Sequence, residues 1–248
     1  MTTSVQPKVN RSGFSYFFQG FSLIRTPGIR RFVFVPLLVN MVLFGFAFYQ
    51  LSFIIADLTQ QISAYLPEVL SWLVYVVKPL LYLTAIVCFS FLFATLANWI
   101  AAPFNGLLAE KIELHLSNQP LSTGGLFDAV KDVPRTLKRE WRKLIYYIPR
   151  ALGFLLILFL LPVIGQVIWF IFVAWMMAIQ YCDFSFDNHK VSFDEMRAKL
   201  RSNKGVCLSF GIMVTFFSMI PLLNLILMPV AICGATAIWV DRFKNDYQ

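Results

Sequence analysis

Residues 32–55 and 79–102 each run for 24 residues without a charge and are almost wholly apolar. Crossing the roughly 30 Å hydrocarbon core of a bilayer takes about 20 residues of helix, so each block is long enough to span. A membrane barrel would instead show about ten-residue segments of alternating polarity, which neither block does. Backbone groups in lipid must be satisfied within the segment, which leaves helices as the spanning element. The composition agrees: 58% of residues are hydrophobic, 14% are charged and the mean hydropathy is +0.70, values outside those of a soluble globular domain. Phenylalanine alone supplies 26 of the 248 residues. The chain is expected to be an all-α integral membrane protein, a single membrane domain over 1–248.

Two later blocks are interrupted. The third, about 151–181, contains LPVIGQ, where Pro162 and Gly165 oppose a continuous helix; the fourth, about 206–240, contains Pro221 and Pro229. Each is either one kinked span or two half-helices folded into a re-entrant hairpin. The distribution of lysine and arginine favours the hairpins. Of the 21, five precede the first block, one lies between the first two, eight lie from Lys111 to Arg150, five from Lys190 to Lys204 and two follow the fourth block. If the rich segments share one side, blocks one and two each cross once, and blocks three and four return to the side they left. The expected fold is therefore two full transmembrane helices, about 32–55 and 79–102, with two Pro/Gly-broken re-entrant helical hairpins. The charge-poor stretch between the two spans, with Asp57, Glu68 and Lys78, is expected to lie partly helical near the far membrane face.

Between them, about 104–150, lies an amphipathic helical region. At 100° per residue, Lys131, Arg135, Lys138, Arg139, Arg142 and Lys143 fall on one side and Val133, Leu137, Trp141, Leu144 and Ile148 on the other. A cationic helix of this kind is expected to lie on anionic lipid headgroups. The net charge of +8 and pI of about 9.4 have the same explanation, so neither nucleic acid nor nucleotide is expected as a partner. The N-terminal residues lack the short apolar core and small-residue cleavage site of a secretory signal peptide.

The chemistry of an enzyme is missing. The sequence has no GxxxxGK[ST], GxGxxG, HExxH or GxSxG pattern. Cys88, Cys182, Cys207 and Cys233 are scattered and read as small buried hydrophobes. Asp183, Asp187 and His189 fall close together, but loop polarity and capping explain them more simply than a metal, and no cofactor is expected. The blocks also lack the paired carboxylates of proton-coupled carriers. Their polar residues are amides, among them Asn40, Asn98, Asn105 and Asn224, which serve either as interhelical hydrogen-bonding groups or as the neutral lining of an anion route.

At PGIRRF, Pro27 and Gly28 make a turn and a helix begins. The first N–H groups of a helix have no internal partner, and with the macrodipole they favour an anion. Arg30 and Arg31 add fixed charge and donors matched to a tetrahedral oxyanion. They are either orientation anchors or ligands.

The chain resembles the CysZ family of bacterial inner-membrane sulfate transporters. The resemblance runs through RSGFSYFFQG, PGIRRFVFVPLLVN, NWIAAPFNGLLAEK, KDVPRTLKREW, AIQYCDFSFDNHKVSFDEMR and IPLLNLILMPVAICGATAIWVD. It implies a multi-pass protein of the inner membrane that takes up sulfate for cysteine biosynthesis. It also implies a sulfate site at Gly28, Ile29 and Arg30, with Arg31 beside it, where isoleucine replaces the family's usual leucine. Sulfate is a hydrated dianion, and moving even one charge into hydrocarbon costs on the order of tens of kcal/mol. The path must therefore be wet or lined with donors, and an oligomer whose protomers face one another is expected to build it. The competing expectation is a scaffold that transports nothing and binds anionic lipid or an acidic partner through the cationic helix.

Overall fold

The structure is a computed structural model that describes residues 11–65, 67, 69, 72–118 and 133–247. All regular structure among the described residues is helical. Eight α-helices follow in order: α1 (Gly13–Leu23), α2 (Arg30–Tyr65), α3 (Leu73–Ser117), α4 (Val133–Leu160), α5 (Pro162–Asn188), α6 (Phe193–Ser202), α7 (Lys204–Ser218) and α8 (Pro221–Arg242). A short 3₁₀ turn, Lys244–Asp246, closes the chain. The residues group into two compact units. One is formed by 1–33 with 105–248, the other by 34–104.

The 34–104 unit is built from α2 and α3. These helices run 36 and 45 residues, well beyond the 24-residue apolar blocks inside them. The polar residues past Ile55 do not stop α2, because the helix itself satisfies them. Thr59 donates to the Ile55 carbonyl at 2.6 Å, Ser63 to the Thr59 carbonyl at 2.8 Å, and Gln61 to Asp57 at 2.8 Å. Phe34, Met41, Phe46 and Phe53 are all exposed along α2, as expected where lipid replaces water. Tyr65, Trp72 and Tyr75, at the α2–α3 connection, are exposed as well. Aromatic side chains of this kind anchor helix ends at headgroup level.

The other unit packs α1 and α4–α8 around an apolar core in which Tyr16, Phe17, Phe186, Phe210 and Trp239 are fully buried. Close backbone approach makes this packing possible. Gly211 of α7 sits against the Ala174 carbonyl and the Ala178 side chain of α5, leaving no room for a Cβ. Small residues facing one another in this way are the usual means of association between membrane helices, whose side chains gain little from leaving lipid. α1 is capped by Ser12, which accepts from the Ser15 amide at 3.3 Å, and is anchored by the Tyr16 hydroxyl donating to Asp241 at 3.0 Å.

Three described helices are long and apolar enough to cross a membrane: Met41–Tyr65, Pro134–Leu160 and Pro162–Asn188. Helix ends fall at the Pro/Gly interruptions: α4 stops at Leu160 and α5 starts at Pro162, while α7 stops at Ser218 and α8 starts at Pro221. In the first of these pairs each member is long and apolar enough to cross a membrane. The expected boundary near residue 150 falls inside α4. Pro149 lies within that helix, and the Arg150 guanidinium takes the Tyr146 carbonyl at 2.8 Å beside it.

Candidate functional site

The turn that joins α1 to α2 is tightly closed. Both the Ile29 and Arg30 amides donate to the Thr26 carbonyl, at 3.1 and 3.3 Å. Gly28 adopts φ +90°, a left-handed conformation that side chains disfavour, and nothing lies within 4 Å of where its Cβ would be. Its backbone thus stands open at the positive end of α2. Ile29 is buried in the core.

The sequence-predicted residues separate at this point. Gly28, Ile29 and Arg31 line one open cleft of about 550 Å³. Arg30 is exposed and is not among the cleft's lining. Ile29 does not offer a free backbone donor, because its amide is already bonded to Thr26. Asn105 is buried, with its Nδ2 3.7 Å from the Met228 sulfur. The side chains of Asn40, Asn98 and Asn224 lie outside the described residues.

The last turns of α3 supply the other wall. Lys111, Leu114, His115 and Asn118 line the same cleft, and their spacing of three, four and seven residues puts them on one helical face. Glu113, 200° from Lys111, falls on the opposite face and is only 1% exposed. His189 Nε2 lies 2.9 and 3.0 Å from its two oxygens, and Lys244 Nζ lies 3.0 Å from Oε1 and donates to Ser117 at 2.7 Å. Burial alone would push the Glu113 carboxyl up. The hydrogen bonds from His189 and Lys244 outweigh it and hold the carboxyl below the ordinary value. Asn118 ends α3 at φ +53° and donates its amide to the Leu114 carbonyl at 2.9 Å, a left-handed cap that asparagine tolerates. Sequence reading counted Lys111 only as a charge and missed His115. The i, i+4 pairing of two basic residues at the end of α3 is the signal that could have found them.

The cationic face of α4 is turned inward, contrary to the expectation of a helix lying on headgroups. Arg139 and Lys143 are buried. Arg139 Nε donates to Asp183 at 2.8 Å, Lys143 Nζ meets the other Asp183 oxygen at 2.8 Å, and Arg135 pairs with Asp187 at 2.5 Å. Arg139 also donates to the Val191 carbonyl. It is the apolar side, with Leu137, Trp141 and Ile148, that is exposed. The correction follows from Asp183 and Asp187, which sit on α5 as partners for these cations. Lys138 and Arg142 stay exposed, and Lys131 lies outside the described residues. His189 is held by Glu113, and no cluster of metal-ligating residues occurs among the described residues.

Comparison with known proteins adds identity to geometry. The family profile described as "Sulfate transporter CysZ/Etoposide-induced protein 2.4" matches residues 16–229. A protein of Vibrio cholerae serotype O1 named "Sulfate transporter CysZ" is 53% identical over 242 residues, covering 96% of each chain. One of the same name from Pectobacterium atrosepticum is 54% identical over 239 residues, covering 95% of this chain and 86% of the relative. A third, from Vibrio parahaemolyticus, is 53% identical over 243 residues, 95% and 97% of the two chains.

Proposed function

This chain belongs to the sulfate transporter CysZ family, and from that premise we propose that it carries sulfate across the bacterial inner membrane, supplying sulfur for cysteine biosynthesis. The protein is a transporter and not an enzyme. Movement is channel-like or facilitative, with the ion first held at the start of α2. The observation that carries this reading is the single cleft lined by Gly28, whose backbone has open space beside it, and by Arg31. A helix N-terminus favours an anion through its dipole. The guanidinium adds donors in the geometry of a tetrahedral oxyanion, which a spherical halide cannot match. Arg30, exposed beside it, raises the local concentration of anions and anchors the helix end.

The path beyond the site is shared between protomers. A dianion needs a wet or donor-lined route, and the spans of one chain are too few to enclose it, so facing copies in an oligomer build the pore. The α7–α8 pair fits a re-entrant hairpin. The 15 residues of α7 reach about 22 Å at 1.5 Å per residue, short of the roughly 30 Å hydrocarbon core. The burial of Arg139 and Lys143 in ion pairs with Asp183 removes the two central charges on which a lipid-binding scaffold would depend.

The site is tested by equilibrium binding of radiolabelled sulfate to the purified chain in which Arg30 and Arg31 are both alanine. Affinity is expected to fall at least about tenfold, in line with the loss of a charge-assisted hydrogen bond, and chloride is expected to compete poorly against the unaltered chain. Unchanged sulfate binding by a folded double variant would remove the site.

A further inference from the structure

The cleft is richer in positive charge than the α1–α2 turn accounts for. Arg31 lines it from α2, and Lys111 and His115 line it from α3. No carboxylate is among its lining residues, and Glu113, the acidic group between the two α3 cations in sequence, faces away and is held by His189 and Lys244. We propose that Lys111 and His115 are two further ligands of the anion held at Arg31. This rests on the reading of the Gly28–Arg31 turn as an anion site and goes beyond it, because it assigns the second wall of the cleft a binding role.

Charge matching supports the assignment. Arg31 and Lys111 together balance a dianion, whereas a monovalent anion leaves one cation unneutralised. His115 adds a ring nitrogen as a further hydrogen-bonding group on the same face of α3. The charged groups facing His115 are Lys111 on its own helix and Arg31 across the cleft. Glu113 and Lys244, on the far side of α3, neutralise one another. His189 is held by Glu113 and is not among the cleft's lining residues. Because Lys111 is only half-buried and His115 exposed, replacing either leaves the core untouched.

The test is equilibrium binding of radiolabelled sulfate to the full chain in detergent, with thermal unfolding followed in parallel. Lys111→Ala is expected to weaken binding about three- to tenfold, with Lys111→Arg restoring it. His115→Ala is expected to weaken binding about threefold. If Lys111→Ala and His115→Ala bind like the unaltered chain while the Arg30/Arg31 double variant loses binding, the inference is overturned and the arginine site stands. Unaltered binding in every variant overturns both. A loss in only one of the two α3 variants overturns the role of the other residue.

Discussion

Glu113 shows how a single carboxylate positions the candidate site without touching its ligand. It lies on the α3 face opposite Lys111 and His115 and ties that helix to His189 at the end of α5 and to Lys244 beyond α8. The wall of the cleft is thereby fixed from behind. Replacing it with glutamine leaves Lys244, itself buried, without a countercharge, and breaking a buried pair costs on the order of 3 kcal/mol. Glu113→Gln is therefore expected to lower the thermal midpoint in detergent by several degrees, and an unchanged midpoint would contradict the account. The pH dependence has a definite sign. A carboxyl held below its unfolded value contributes stability above about pH 4.3 and loses it as pH falls through the folded value. Acid unfolding of the unaltered chain should accordingly be steeper below that pH than acid unfolding of the glutamine variant. Nothing in the sequence pairs Glu113 with His189 or Lys244, because 76 and 131 residues separate them along the chain and only the fold brings them together.

Among the elements, α4 is where sequence and structure differ most instructively. Its two faces were legible from helical periodicity, but which face turns inward was not. Amphipathicity reports that two sides differ and says nothing of what each meets. Asp183 and Asp187, one turn apart on α5, settle the matter by taking Arg139, Lys143 and Arg135 into ion pairs, while lipid is an acceptable neighbour for Leu137 and Trp141. Asp183→Ala removes the carboxylate that two buried cations share and leaves Arg139 only Asp187 and Lys143 only Glu140 as countercharges, a loss of about 3 kcal/mol. The variant is expected to give little folded protein, measured as the monodisperse fraction on size exclusion in detergent. A yield and midpoint equal to those of the unaltered chain would show that the cluster contributes nothing to α4–α5 packing. Helix ends were similarly half-legible. The Pro/Gly breaks did mark where α4 gives way to α5 and α7 to α8. The excess length of α2 was hidden, since Thr59, Gln61 and Ser63 look like a loop in sequence and are satisfied inside the helix.

At the scale of the whole molecule, the distribution of lysine and arginine requires only that the third and fourth apolar blocks return to the side they left. A hairpin of two full crossings satisfies that as well as a re-entrant one does, and both Pro134–Leu160 and Pro162–Asn188 are long enough to cross. Charge counting is blind to the difference because it sees where a segment ends and not how deep it goes. The proposed cargo rests on likeness over nearly the whole chain, whereas the proposed site was legible in one turn, PGIRRF, whose glycine and second arginine line a single cleft. The α3 wall was not legible there, since its cations lie some 80 residues further on. The most direct test of the central claim is the flux of radiolabelled sulfate into sealed lipid vesicles that contain this protein alone. Uptake down a sulfate gradient, unchanged when the proton gradient is collapsed and reduced by the Arg30/Arg31 double substitution, is the predicted result. No flux above protein-free vesicles under any imposed gradient would contradict it.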